Sequence, residues 1–238
     1  MRLLLGSGGF RTEERRARLT GQMQSFFGNI ERLLFIPYAR NDHDRYIEDL
    51  VEKGLHAGYA LDGIHQRADP RKAVQDASAI YVGGGNTFRL LAALYRFDLL
   101  EMIRQRVQAG VPYLGVSAGT NVACPTIMTT NDMPIVYPPS FQALGLVPFQ
   151  INPHYFAGQT HIKRSDGFQE HFGETRDQRI NEFHEMNDTP VVGLWEGGIL
   201  HIEEGKVTLV AAPARIFRKG QEPVDVEPEA RLDPWLNA

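Results

Sequence analysis

The sequence predicts an α/β fold: a mostly parallel sheet with helices on both faces and an antiparallel extension at its C-terminal end. Three observations carry this. Through the first two thirds of the 238 residues, short apolar runs alternate with amphipathic stretches. Two of the apolar runs lead straight into glycine-rich turns that precede helical patterns. The last third changes to short apolar runs separated by tight, glycine-marked turns. Strand, helix, strand in steady succession needs crossover connections, which produce a parallel sheet covered on both faces.

Taken in order, strands are predicted over residues 3–5, 33–37, 79–82 and 113–116, each ending near Gly or Pro. Helical periodicity falls between them, over 13–27, 45–56, 87–95 and 99–108. Residues 190–195, 199–203, 206–211 and 214–218 read as short strands that close one edge of the sheet. Gly197-Gly198 and Glu204-Gly205 read as hairpin connections between them. The acidic, proline-spaced segment 220–238 reads as an irregular surface tail. One domain over residues 1–238 accommodates all of this.

Composition narrows the function. Apolar residues at 42% and charged residues at 23% are those of a soluble globular protein with a sizeable core. The single cysteine, Cys124, excludes an intrachain disulfide and is expected in the core. No run approaches the roughly 18 apolar residues of a membrane span, and the N-terminal apolar run is too short for a signal peptide. A cytoplasmic location and no membrane partner are therefore expected. The net charge of −4 and the lack of a basic stripe argue against nucleic acid and favour a small substrate. No histidine or cysteine pair has metal-site spacing, so neither a metal nor another cofactor is expected.

The most informative segment spans residues 111–123, an apolar strand that enters Gly115-Val116-Ser117-Ala118-Gly119 and then a helical stretch. This is G-x-S-x-G in a strand–turn–helix setting, where the glycines permit a sharp turn that lifts a serine above the sheet edge. A plain βα turn between two glycines is the bland alternative, and the preceding strand argues against it. A second strand runs into Gly83-Gly84-Gly85-Asn86-Thr87, whose unhindered N–H groups suit a phosphate or a tetrahedral oxyanion. It lacks the Gly-Lys-Ser/Thr of a P-loop and the G-x-G-x-x-G of a dinucleotide site. Paired with a serine elbow, the oxyanion reading is the better one. Gly6-Ser7-Gly8-Gly9 reads as a structural βα turn.

An activated serine needs a base and a group that orients it. Of eight histidines, His154 stands just beyond the apolar segment 149–153, at a strand end on the expected rim. His43, His56, His65 and His184 fit solvated helix or turn positions, His161 and His171 fall in a polar loop, and His201 reads as structural. Two carboxylates compete to orient His154. Glu196 follows an apolar run and precedes two glycines, whereas Asp132 in Thr130-Asn131-Asp132-Met133-Pro134 could equally form a turn. Arg176 opens a helix, where a cation opposes the helix dipole unless an anion is near. Either a bound carboxylate or a local surface acid would explain it.

Together these segments resemble the aspartyl dipeptidase, or peptidase E, family of serine peptidases. The similarity runs in order through residues 82–88, 115–127, 129–136, 149–154, 173–180 and 196–197. The resemblance implies a flavodoxin-like fold related to class I glutamine amidotransferases and cleavage of dipeptides with an N-terminal aspartate. It implies Ser117 as nucleophile, His154 as base, and Glu196 or Asp132 as the acid; of the two, Glu196 is preferred on its own position after an apolar run and before two glycines. It further implies oxyanion donors from Gly84, Gly85 and Ala118, and substrate contacts from Arg176 and Asn86. A homodimer is expected from the resemblance alone. The first turn, residues 6–11, departs from the family pattern, and the segment 155–172 is long enough to alter substrate range if it overhangs Ser117. A cyanophycinase-like exopeptidase acting on a β-aspartyl-arginine polymer is the nearest rival. An α/β-hydrolase esterase shares G-x-S-x-G but places its histidine late, well beyond the acid, and a non-catalytic amidotransferase-like binding module would lack a reactive serine.

Overall fold

A computed structural model describes residues 1–165 and 167–236. Strands β1 (Arg2–Gly6), β2 (Arg32–Ile36), β3 (Ala60–Gly63), β4 (Ile80–Val82) and β5 (Tyr113–Val116) run parallel, in spatial order β1-β5-β4-β2-β3. Their crossovers carry α1 (Glu13–Phe27), α2 (His43–Glu52), α3 (Pro70–Asp76), α4 (Thr87–Arg96) and α5 (Leu100–Gln108). A short α6 (Ala118–Asn121) follows β5. Thr12, Asp42, Asp69 and Asn86 cap α1 to α4, each side chain accepting from a first-turn N–H. Those caps set where the helices start. The sequence reading missed β3 and α3: Ala60-Leu61-Asp62-Gly63 is an edge strand, which needs no continuous apolar run.

The C-terminal third divides between two sheets. After β6 (Gln150–Tyr155) come β7 (Thr160–Arg164), β8 (Gly167–His171), α7 (Arg176–Met186) and β9 (Val191–Trp195). They are followed by β10 (Ile199–Glu203), β11 (Lys206–Ala211), β12 (Ala214–Phe217), β13 (Val224–Val226) and α8 (Asp233–Leu236). β10 pairs antiparallel with β1 and β11 with β10, extending the main sheet to seven strands. β6, β9, β12 and β13 form a second, four-stranded sheet in which β6 and β9 are parallel.

Three expectations are corrected here. Gly197-Gly198 is not a hairpin turn, because β9 and β10 lie in different sheets. Glu204-Gly205, with φ of 51° and 78°, does join β10 to β11 as a tight hairpin. The segment after Gly220 is not an irregular tail: β13 pairs with β12, and Leu232 and Leu236 are buried. Within the 155–172 segment, β7 and β8 form an exposed antiparallel pair, which carries His161 and His171, while Tyr155 belongs to β6 and is buried. His184 is buried rather than solvated, its Nε2 lying 3.1 Å from the Thr189 carbonyl.

Alternation along each parallel strand assigns the two faces. Leu4, Leu33, Phe35, Tyr81 and Leu114 pack with Leu19, Met23, Phe26 and Phe27 of α1 and Leu50 of α2. Their neighbours Leu3, Leu5, Leu34, Ile36, Ile80, Val82 and Tyr113 pack on the opposite side. That side is shared with Val74 of α3, the apolar faces of α4 and α5, and the second sheet through Ile151, Val192 and Leu194. Cys124 sits in this second core, fully buried, as its apolar surroundings anticipated. Among the described residues no helix is long and apolar enough to cross a membrane.

Candidate active site

All five parallel strands deliver their carboxyl ends to one edge, where open α/β sheets bind ligands. Ser117 leaves β5 there with φ 54° and ψ −108°, a conformation an L-residue holds only when its surroundings compel it. The surroundings are explicit. Ser117 N–H donates to the Gly6 carbonyl at 2.9 Å, while the Ser117 carbonyl accepts from the N–H groups of Thr120 and Asn121 at 2.9 Å. The flanking glycines are required by contact. A Cβ on Gly115 would stand 2.5 Å from the Gly119 carbonyl oxygen, and one on Gly119 only 2.1 Å from that of Val82. No side chain fits either place.

His154 arrives from the second sheet. The β6–β9 register slips between Pro153 and Tyr155, leaving His154 as an extra residue in the left-handed region with φ 56°. A bulge of this kind re-aims a side chain out of the strand. Ser117 Oγ lies 2.7 Å from His154 Nε2, and His154 Nδ1 lies 2.7 Å from Glu196 Oε1. Glu196 directly follows β9, the strand parallel to β6, so the base and its carboxylate come from the same ends of neighbouring strands. Both side chains remain partly open to solvent.

The other carboxylate is engaged elsewhere. Asp132 Oδ2 accepts from the Thr87 N–H at 2.7 Å, the Thr87 hydroxyl at 2.6 Å and the Thr130 hydroxyl at 3.2 Å. It thus sits on the first turn of α4, and among the described residues it makes no hydrogen bond to His154. Asn86, expected at the substrate, is likewise committed to the fold. Its Oδ1 accepts from Arg89 N–H at 3.0 Å and its Nδ2 donates to the Met133 carbonyl at 2.8 Å. Both residues tie the glycine loop to the segment 130–133.

That loop faces the serine. A Cβ on Gly84 would lie 3.1 Å from Ser117 Cβ, so nothing larger than glycine passes there without a shift. Gly85, at φ +142°, packs against Ala39, whose carbonyl would be 2.5 Å from an added Cβ. Among the described residues, the N–H groups of Gly84, Gly85 and Ala118 have no backbone acceptor. Over Ser117 and His154 opens a cleft of about 840 Å³, with Gly84, Gly85 and Asp132 on its rim. Tyr46 closes part of its wall, and burial pushes the phenol up to about 12 while Arg40 and the Gly84 backbone pull it down.

Arg176 is the first residue of α7, behind a capping box of Thr175 and Gln178. Its guanidinium lies over the ring of Phe156, two residues beyond His154, at 5.3 Å. Burial, and secondarily Arg179, hold its pKa below the ordinary arginine value, and its Nε is buried without a partner. Arg176 does not line the cleft at Ser117.

The turn after β1, which reads from the sequence as mostly structural, is packed around the histidine and glutamate. Fully buried Ser7 accepts from the His154 N–H at 2.8 Å and donates to the Leu194 carbonyl at 2.9 Å. Gly197 N–H donates to the Gly8 carbonyl at 2.8 Å, and Ser7 N–H to the Gly198 carbonyl at 2.9 Å. An added Cβ would lie 2.5 Å from His154 Cε1 at Gly8, and 1.4 Å from Glu196 Oε2 at Gly9. The signal in the sequence was two adjacent glycines after a polar residue, and nothing there says what approaches them.

The chain matches the family model for peptidase family S51 over residues 2–210. It is similar to a protein named peptidase E from Streptomyces coelicolor, with 47% identity over 207 residues, 87% of this chain and 82% of the relative. A probable alpha-aspartyl dipeptidase of Drosophila melanogaster is 44% identical over 216 residues, 89% and 87% of the two chains. Among solved structures, a putative peptidase E protein from Listeria monocytogenes superposes with a TM-score of 0.61 at 22% identity, covering 95% of this chain and 98% of its own. A peptidase from an acI-B1 Actinobacterium gives 0.65 at 19%, covering 97% and 95%. At these identities the structural matches speak to the fold.

Proposed function

Because the chain belongs to peptidase family S51, we propose that it hydrolyses dipeptides with an N-terminal aspartate through a Ser117–His154–Glu196 mechanism. The observation that carries this reading is the unbroken line from Ser117 Oγ through both nitrogens of His154 to Glu196, with 2.7 Å at each step. Relatives named peptidase E and alpha-aspartyl dipeptidase support the substrate class.

In this reading His154 Nε2 takes the Ser117 proton as Oγ attacks the peptide carbonyl. Glu196 holds Nδ1 protonated, which fixes the tautomer and stabilises the imidazolium that forms. The negative charge that develops on the carbonyl oxygen meets the N–H groups of Gly84, Gly85 and Ala118, whose alignment is already paid for by the fold. Collapse expels the leaving amine, protonated by His154, and water then repeats the cycle on the acyl-enzyme. Arg176 reads the aspartyl carboxylate: a desolvated guanidinium with an unpartnered nitrogen gains a charge-assisted pair of roughly 1.5–3 kcal/mol. Asp132 and Asn86 hold the glycine loop in register with Ser117 and take no proton.

The test is a panel of Asp-Leu, Asn-Leu, Glu-Leu and β-Asp-Leu with the wild type, Ser117→Ala and Arg176→Ala. Ser117→Ala should lower kcat on the order of 10⁴-fold or more with the fold intact. Arg176→Ala should lower kcat/KM for Asp-Leu about 10- to 150-fold and shrink the preference over Asn-Leu. A folded Ser117→Ala protein that keeps near-normal activity, or fails to lose fluorophosphonate labelling, defeats the reading.

A further inference from the structure

The cleft that opens from Ser117 is cationic around an apolar floor. Arg11, Arg16, Arg40 and Lys53 line it, and its one lining carboxylate, Asp132, is already taken up by Thr87 and Thr130. Arg40 and Lys53 share a single carboxylate, Asp49, at 3.3 and 4.0 Å, and Arg45 competes for the same group at 3.0 Å. Arg16 donates to the Arg11 carbonyl at 2.6 Å. Among the described residues, neither Arg11 nor Arg16 has a carboxylate within ion-pair distance. The floor between them is made by Leu19, Leu50, Tyr81 and Val116.

Such a surface has a specific chemical complement: an apolar group to cover the floor, with one anion to meet the arginines. We infer that the cleft binds the leaving residue of the substrate, with Arg11 and Arg16 holding its C-terminal carboxylate and the floor taking an apolar side chain. The inference rests on the peptidase reading, because it is cleavage at Ser117 that makes the occupant of this side the leaving residue. The terminal carboxylate is the anion of choice over an acidic side chain. It stands at a fixed few bonds from the scissile carbonyl in every dipeptide, whereas a side-chain carboxylate would displace the apolar group from the floor. Arg176, outside this cleft, remains for the aspartyl end. A longer or capped chain lacks a carboxylate at this position, so the same arginines would account for a preference for free dipeptides.

The experiment compares Asp-Leu with Asp-Leu-amide, which differ only in that terminal charge. Binding to the Ser117→Ala protein is measured by calorimetry, and hydrolysis is measured with the active serine in place. Both are repeated in an Arg11→Gln/Arg16→Gln background. The free acid should bind and turn over at least about 10-fold better than the amide, the range of one charge-assisted hydrogen bond, and the double substitution should erase that difference while leaving the amide unchanged. Equal binding of acid and amide, binding of neither, or a double variant that weakens both alike overturns the assignment. The two readings fail separately. Discrimination in binding without any Ser117-dependent hydrolysis removes the peptidase reading and keeps the carboxylate site, and hydrolysis without discrimination does the reverse.

Discussion

Gly9→Ala is the sharpest single perturbation of the site, because it removes no functional group yet displaces the carboxylate that orients His154. The added methyl would stand 1.4 Å from Glu196 Oε2 and 2.5 Å from its Cδ, and real Cβ contacts do not fall below 3.0 Å. The carboxylate must therefore withdraw by more than an ångström, which takes Oε1 off His154 Nδ1, now at 2.7 Å. Losing the orienting charge of a triad lowers kcat by up to about 10⁴-fold, equivalent to roughly 5 kcal/mol in the transition state. Backbone strain is separate. Gly9 sits at φ +70°, where an L-residue costs about 1 kcal/mol of stability. Gly205→Ala is the matched control. Its φ is +78°, yet an added Cβ there meets nothing within 4 Å, so it should show the strain without the catalytic loss. Asp-Leu hydrolysis followed across pH, together with thermal unfolding, reads both effects. A folded Gly9→Ala enzyme whose kcat stays within about 3-fold of the wild type would refute the argument.

Glu196→Gln should be the damaging member of a pair with Asp132→Asn: up to about 10⁴-fold in kcat against nearer 10- to 100-fold, since Asp132 supports the loop and not the imidazole. Reversal of that order in steady-state assays would move the acid to Asp132. Ser7→Ala leaves the His154 N–H and the Leu194 carbonyl without their buried partner, at about 1–3 kcal/mol for each group. Denaturant unfolding should show the loss, and kcat should fall with KM nearly unchanged because Ser7 reaches the reaction only through His154. Burial pushes the Cys124 thiol up to about 12, so at pH 8 it is a neutral, enclosed group that thiol reagents should label only after unfolding. Because the folded value is raised, that thiol's effect runs one way: stability falls as pH climbs from the ordinary thiol range toward 12, where the unfolded chain ionises and the folded one resists.

What the sequence by itself determined is local. Four of the five parallel strands and the helices α1, α2, α4 and α5 were legible because apolar runs of strand length and helical periodicity are short-range patterns, whereas the edge strand β3 and the short α3 carry neither. Ser117 was legible for the same reason, since its turn needs glycine two residues to either side. The partners of that serine were not local. Glu196 and Asp132 both stood as candidates to orient His154, and only packing separates them. β6 and β9 run parallel in a second sheet and place His154 beside Glu196, while Thr87 and Thr130 claim Asp132. The Gly6-Ser7-Gly8-Gly9 turn shows the limit most clearly. Glycines there could mark any tight turn, and what makes them necessary is an imidazole and a carboxylate that come from residues 154 and 196. Local propensity acts over a few residues, but van der Waals exclusion acts between whatever the fold brings together, and that is decided only in three dimensions.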